Sequence, residues 1–355
     1  MAAVDAMDVD DRRFSASTAC SDRDLAGGCG VESGRSSMTV TPDLQAKANQ
    51  KVAFVQQLVR NLERAITNMQ PEDQEYLHRF LKPDDPCFAT LCNLLLARKY
   101  SPFVLLRCVV LRAIQMILKI AVSVASGEQP QAADIGMRVF EELAGKQLAP
   151  KVYNEVYQLS EHSDQAIVAV DAMLVLTELG PEAFGVRMVE RLLDLFELTP
   201  DRASELTEVA LRVHAWGDPT RSKLLEVTLS HRCGTSLVEV LLQMVNRSDQ
   251  ERSLRAVKVL TGCLLTPAGQ NLLYTNDAHV LVEILLRELP DRVASASEFS
   301  CFAECLRALE MKCKAARDHR RAEVIQILED LRDDERTDSA ARGKCMEVLA
   351  VMASA

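Results

Sequence analysis

The chain has 355 residues, of which 48% are hydrophobic but only 5% aromatic, and a formal net charge of −10. That length and apolar content can bury a sizeable core, and the scarcity of aromatics favours helix-on-helix packing over a β-sandwich. The acidic balance argues against a generic nucleic-acid binder, which needs a basic face for phosphates.

Residues 1–42 are rich in Asp, Ser, Gly and Arg and show no sustained apolar period. A segment of that composition cannot bury enough surface to offset its ordering entropy, so a disordered N-terminal tail is expected. It has no basic-then-apolar signal segment. From residue 43 to residue 353 the pattern is almost unbroken helix. "VAFVQQLVRNLERAI" places Val52, Val55, Leu58, Val59, Leu62 and Ile66 at alternating steps of three and four. The greasiest stretch, Val104 to Val124, is interrupted by Arg107, Arg112 and Lys119. It reads as a buried core helix and not a membrane span.

Short polar breaks, usually with proline, punctuate the rest: "GEQPQ", "QLAPK", "ELGPEAF", "LTPDRA", "WGDPTR", "LTPAGQ" and "ELPDR". From Pro130 onward they recur about every 20 residues with one doubled gap, so a helix pair occupies about 40, the period of armadillo and HEAT arrays. The rhythm predicts an all-α, armadillo/HEAT-like helical solenoid, with a large closed bundle as the competing fold.

Chemistry is hard to find in this sequence. No GxxxxGK[ST] or GxGxxG loop occurs, the six histidines include no HExxH, and no two cysteines form a CxxC pair. Cys301, Cys305 and Cys313 could share a helix face, but they lack a convincing fourth ligand and read as a buried thiol stripe. The expectation is a non-enzyme with no catalytic residues, no metal and no cofactor. An odd number of cysteines in a long chain fits reduced thiols and a cytoplasmic location.

Three stretches stand out. Trp216, the single tryptophan, precedes Gly217, Asp218 and Pro219. Gly217 suits a left-handed helix end, and Asp218 with Pro219 suits the next helix start. Trp216 either packs that corner or anchors a partner. The second stretch is "YTNDAHVLVEILLREL". Thr275, Asn276 and Asp277 all offer oxygens to free N–H groups, and only one can be the N-cap. Tyr274 can pack back onto the helix, Val280, Leu281, Ile284, Leu285 and Leu289 make its apolar face, and Val282 and Leu286 extend apolarity almost all round. Glu283 and Arg287 are spaced as an i,i+4 pair, and Pro290 is a stop. The third is a local basic excess, Arg307, Lys312, Lys314, Arg317, Arg320 and Arg321, which offers a landing surface for an acidic partner.

Tyr274, Thr275, Asn276, Asp277, Val280, Leu281, Val282, Ile284, Arg287, Glu288 and Leu289 resemble the "YTND…VLVDIIIREL" signature of one family. It is the leucine-rich armadillo-like domain of the Nck-interacting protein with SH3 domain, or diaphanous-interacting (WISH/DIP), family and its fungal relatives. Glu283 stands where that family usually has Asp. Gly217, Asp218 and Pro219 resemble its Asn-Arg-Gly-x-Asp-Pro corner, with Trp216 a departure. The resemblance covers roughly residues 205–290. It implies a protein that binds and activates the actin-related-protein 2/3 complex and so nucleates linear seed filaments without a pre-existing filament. It also implies residence in the cytoplasm at cortical actin patches. No SH3 domain or Pro-rich segment accompanies the signature, so functions tied to those modules are not implied. The alternative is an armadillo/HEAT scaffold unrelated to actin, holding extended peptides or small G proteins in its concave groove.

Overall fold

The computed structural model describes residues 40–68, 86–125, 163–216, 222–266 and 272–354, with short pieces at 152–153, 155–157 and Gly269. Residues 1–39 of the expected tail and the corner residues Gly217, Asp218 and Pro219 lie outside the described residues, whereas Pro42, counted with the tail in the sequence, already opens the first helix. Among the described residues every regular element is helical, as the periodicity predicts. In chain order these are α1 (Pro42–Asn68), α2 (Pro86–Leu96), α3 (Val104–Ala125), α4 (Ser163–Leu179) and α5 (Val186–Leu198). Then come α6 (Ala203–Ala215), α7 (Lys223–Ser230), α8 (Gly234–Arg247), α9 (Gln250–Leu265) and α10 (Thr275–Asp291). The chain closes with α11 (Ala296–Lys312), α12 (Lys314–Asp318), α13 (Arg321–Asp333) and α14 (Ser339–Ser354).

The helices stack in two rows, which makes the fold a helical solenoid. In the first row α3, α4, α6, α9, α11 and α14 each pack on the next. In the second, α5, α8, α10 and α13 do the same, with short α7 lodged among α5, α6 and α8. The first-row helices from α4 onward begin at Ser163, Ala203, Gln250, Ala296 and Ser339, the helix-pair step that the proline spacing implies. From α4 onward each row helix is flanked by its own row and by the other row. Its apolar residues therefore spread over a wide arc: α4 encloses Val168, Val170, Met173, Val175 and Leu176 on different sides. Burying one such side chain contributes about 1.5–3 kcal/mol.

Local chemistry ends the helices where the sequence says it should. α4 stops at Gly180, whose φ of 108° an L side chain would resist, and Pro181 then opens a short 3₁₀ turn. Thr199 closes α5 with its Oγ1 on the Leu195 carbonyl at 2.7 Å. Asp249 caps α9 by accepting from the Arg252 N–H at 3.0 Å. Gly262, inside α9, lets α7 come close, because a methyl there would meet Leu225 Cδ1 at 2.7 Å.

The charges that interrupt α3 turn out to stitch the first row together. Arg112 and Arg202 converge on the enclosed Asp171 of α4, at 3.5 and 2.7 Å. Lys119 and Arg212 reach Glu178 at 3.9 and 3.0 Å, and Arg212 and Arg255 share Glu208 at 3.3 and 3.1 Å. A ladder of ion pairs thus ties α3 to α4, α6 and α9. Arg107 is sealed against Glu155, and burial draws its pKa down to about 10. Among the described residues no helix is long and apolar enough to cross a membrane.

Candidate interaction surfaces

The signature helix α10 divides cleanly. Ala278, Leu281, Val282, Ile284, Leu285, Leu286 and Leu289 are buried, so the apolarity off the main stripe has its reason: α8, α11, α12 and α13 press on it from several sides. Val280, counted with the apolar face in the sequence, instead points outward at 41% exposure. Tyr274 is exposed at 63%.

The helix start also differs from expectation. Tyr274 itself occupies the N-cap position, with φ −68° and ψ 159°, and its side chain makes no cap hydrogen bond. Thr275, Asn276 and Asp277 are its first three helical residues and not its N-cap. Asp277 still places negative charge in the positive first turn. The helix runs through Pro290 to Asp291, because a proline in the last turn gives up only one hydrogen bond.

The expected Glu283–Arg287 pair does not form. Arg287 pairs with Glu288 at 3.0 Å and donates to Asn246 Oδ1 of α8 at 3.2 Å. Glu283 instead meets His319 Nε2 at 3.1 Å. His319 stacks face to face on His279, centroids 4.1 Å apart, and His279 Nε2 lies 3.1 Å from the Ala315 carbonyl oxygen. The outer face of α10 therefore presents Tyr274, Thr275, Asn276, Val280 and Arg287, flanked by a histidine stack. None of those five is needed to fill the core.

The basic residues of the third stretch are mostly occupied. Arg317 donates to the Glu310 and Met311 carbonyls at 2.7 and 2.6 Å, which caps the end of α11. Arg321 donates to the Met352 carbonyl near the end of α14. Arg307 is held by Glu304, and Arg320, in a left-handed conformation at φ 52°, pairs with Glu323 at 2.6 Å. Lys312 and Lys314 have no carboxylate within 4.0 Å among the described residues, so the expected six-residue landing surface reduces to two free lysines. Under this elbow lies Glu310, fully enclosed, with neither carboxylate oxygen hydrogen-bonded among the described residues. Burial pushes its pKa up to about 7, against the pull of Arg321 and Arg317 and with a small push from Asp318.

Trp216 packs the corner it was placed at. Its ring meets the buried Phe184 at a centroid distance of 5.7 Å, and it stays 36% exposed. The thiol stripe is buried at Cys305 and Cys313 and half-buried at Cys301, and burial raises the Cys305 thiol to about 12.

Among the described residues, sequence reasoning missed one cluster of metal-ligand type, Asp194, His231 and Cys233, whose ligand atoms lie within 4.8 Å of one another. Its hydrogen bonding is closed. His231 Nδ1 accepts from the Cys233 N–H at 3.2 Å, which leaves the proton on Nε2, 3.4 Å from Asp194. Cys233 Sγ faces Glu197 at 3.5 Å, and Arg232 covers Asp194 and Glu197 at 3.5 and 3.1 Å. A cation would have to displace Arg232 and reverse the imidazole tautomer. No spacing rule links α5 to the turn after α7, so the cluster was invisible in the sequence.

Residues 203–325 match the family described as SPIN90/Ldb17, leucine-rich domain. The match spans α6 to the first turn and a half of α13 and contains the whole of α10. A search of curated proteins finds no match for the chain.

Proposed function

We propose that the protein is an actin-cytoskeleton regulator of the SPIN90/Ldb17 type, which binds the actin-related-protein 2/3 complex in the cytoplasm, at cortical actin patches. It switches the complex on and so nucleates linear seed filaments with no mother filament. One observation carries this reading: within the matched stretch, the signature retains an outward half, Tyr274, Thr275, Asn276, Val280 and Arg287, that packing does not require.

The mechanism is differential binding. The complex has an inactive, splayed arrangement and a filament-like one, and a ligand shifts that equilibrium only by the difference in its affinity for the two. Moving a 1:99 population to 99:1 requires about 5.5 kcal/mol of such difference. A stacked two-row array, cross-tied by the Asp171, Glu178 and Glu208 ion pairs, suits the task because little of that energy is lost in bending it. Tyr274 offers a rigid amphipathic ring of the kind that dominates interface energies, and Arg287, tied to Asn246, is pre-positioned beside it. Lys312 and Lys314 add electrostatic attraction for an acidic partner.

The test is actin polymerisation with the purified complex and no verprolin-homology activator. The protein at micromolar concentration should shorten the nucleation lag and yield unbranched filaments capped at the pointed end. Tyr274→Ala and Arg287→Glu should abolish this while leaving the fold intact. A wild-type protein that neither binds the complex nor alters the lag overturns the reading.

A further inference from the structure

The ion-pair ladder of the first row has one open rung. Arg255 sits on Glu208 at 3.1 Å, and Glu304 holds both Arg307 and, at 3.9 Å, Lys344. Between them, on α9, Lys258 is exposed and has no carboxylate within 4.0 Å among the described residues. It stands at the rim of a groove of about 720 Å³ bounded by α6, α7, α9 and α11. Leu211, Leu225, Gly262 and Leu265 give the groove its apolar character, and Cys301 contributes a half-buried thiol. Leu265 is 40% exposed, although solvation of such a side chain is unfavourable. His214, also lining the groove, is 6% exposed, and its sealed Nδ1 has no hydrogen-bond partner among the described residues. Burial first and the Lys258 charge second lower its pKa, so it is neutral at physiological pH. Among the described residues that line the groove, the unneutralised charge is therefore the single cation Lys258.

We propose that this groove is a docking site for an extended, acidic peptide segment of a partner protein, with a bulky apolar side chain between Leu211 and Leu265 and a carboxylate on Lys258. The volume suits one or two large side chains. The unsatisfied cation sets the sign of the occupant's charge, and desolvated pairing with it gives specificity. The groove belongs to the first row of helices, whereas the outer face of α10 belongs to the second. The two surfaces can be tested separately.

The experiment pans a display library of random peptides of about twelve residues against the full chain, with counter-selection on Lys258→Glu. Recovered peptides should carry Asp or Glu within a few positions of Leu, Phe or Trp. Synthetic versions should bind the wild type by calorimetry and weaken about tenfold or more on Lys258→Glu and on Leu265→Arg. Lys312→Glu should bind them as the wild type does. Lys258 and Leu265 are exposed, so circular dichroism should show both variants folded, and both should shorten the actin lag normally. No enrichment over the counter-selected variant overturns the proposal, as do selected peptides that ignore the Lys258 change. Dodecanoate binding more tightly than any selected peptide assigns the groove to small amphiphiles and also overturns it.

Discussion

The outer face of α10 and the elbow from the end of α11 to the start of α13 are neighbours with opposite uses of polarity. On α10 the signature residues Thr275, Asn276 and Arg287 face solvent with Tyr274 and Val280, and the other apolar ones pack on α8, α11, α12 and α13. In the elbow, arginines that look equally available in the sequence are turned onto helix-end carbonyls. Charge counted along a chain is therefore not charge offered to a partner. A helix C-terminus leaves carbonyls without donors, and a nearby guanidinium supplies them before any partner arrives.

The largest expected effect tests the inward half of α10. Leu285→Ala removes a fully enclosed side chain and should cost about 2–5 kcal/mol in chemical denaturation. Partner binding should fall only as far as the unfolded fraction explains.

Arg317→Ala sharpens the elbow side of the comparison. It removes two hydrogen bonds to carbonyls, and the loss should be about 1–3 kcal/mol of stability. If stability is unchanged while association slows at low salt, the arginine is a contact and not a cap.

Glu310 gives a pH signature confined to the elbow. Its folded pKa, near 7, lies above the ordinary carboxylate value, so the native state holds more protons than the unfolded one between those values. The stability it contributes is fully present below the unfolded value and is lost as pH rises through about 7. Glu310→Gln should remove that slope and raise stability at pH 8 by about 1–3 kcal/mol, as replacing a buried unpaired charge does. A pH profile identical to the wild type would place the ionisation elsewhere.

The smallest effects on stability belong to the outer face of α10. Tyr274→Ala should change it by less than about 0.5 kcal/mol, and Asp277→Ala, now a first-turn charge and not a cap, by about 0.3–1 kcal/mol. Thermal melts measure both. A large loss for Tyr274→Ala would mean that the ring is structural and would erase the distinction between the two halves of the helix.

Much of this architecture was legible in the sequence, because helical period and proline punctuation are local properties. α3, α10 and the step between helix pairs follow from them directly. The signature was legible as a pattern, but its division into inward and outward halves was not. Val280 and Val282 are alike on paper, and only the second faces neighbouring helices. The N-cap fell on Tyr274, ahead of all three candidates Thr275, Asn276 and Asp277, for a similar reason, since the chain entering α10 sets where helical dihedrals begin.

The sequence by itself determined that this chain is all-helical, arrayed at a helix-pair step, and marked in one stretch by a family pattern. Only the tertiary structure decided which charges are spent. It placed Asp171, Glu178 and Glu208 under arginines from other helices, turned Arg317 and Arg321 onto backbone carbonyls, and left Lys258, Tyr274 and Arg287 facing outward. Periodicity is written in neighbours three and four residues apart, whereas a charge's partner stands tens of residues away and is fixed only when the rows stack.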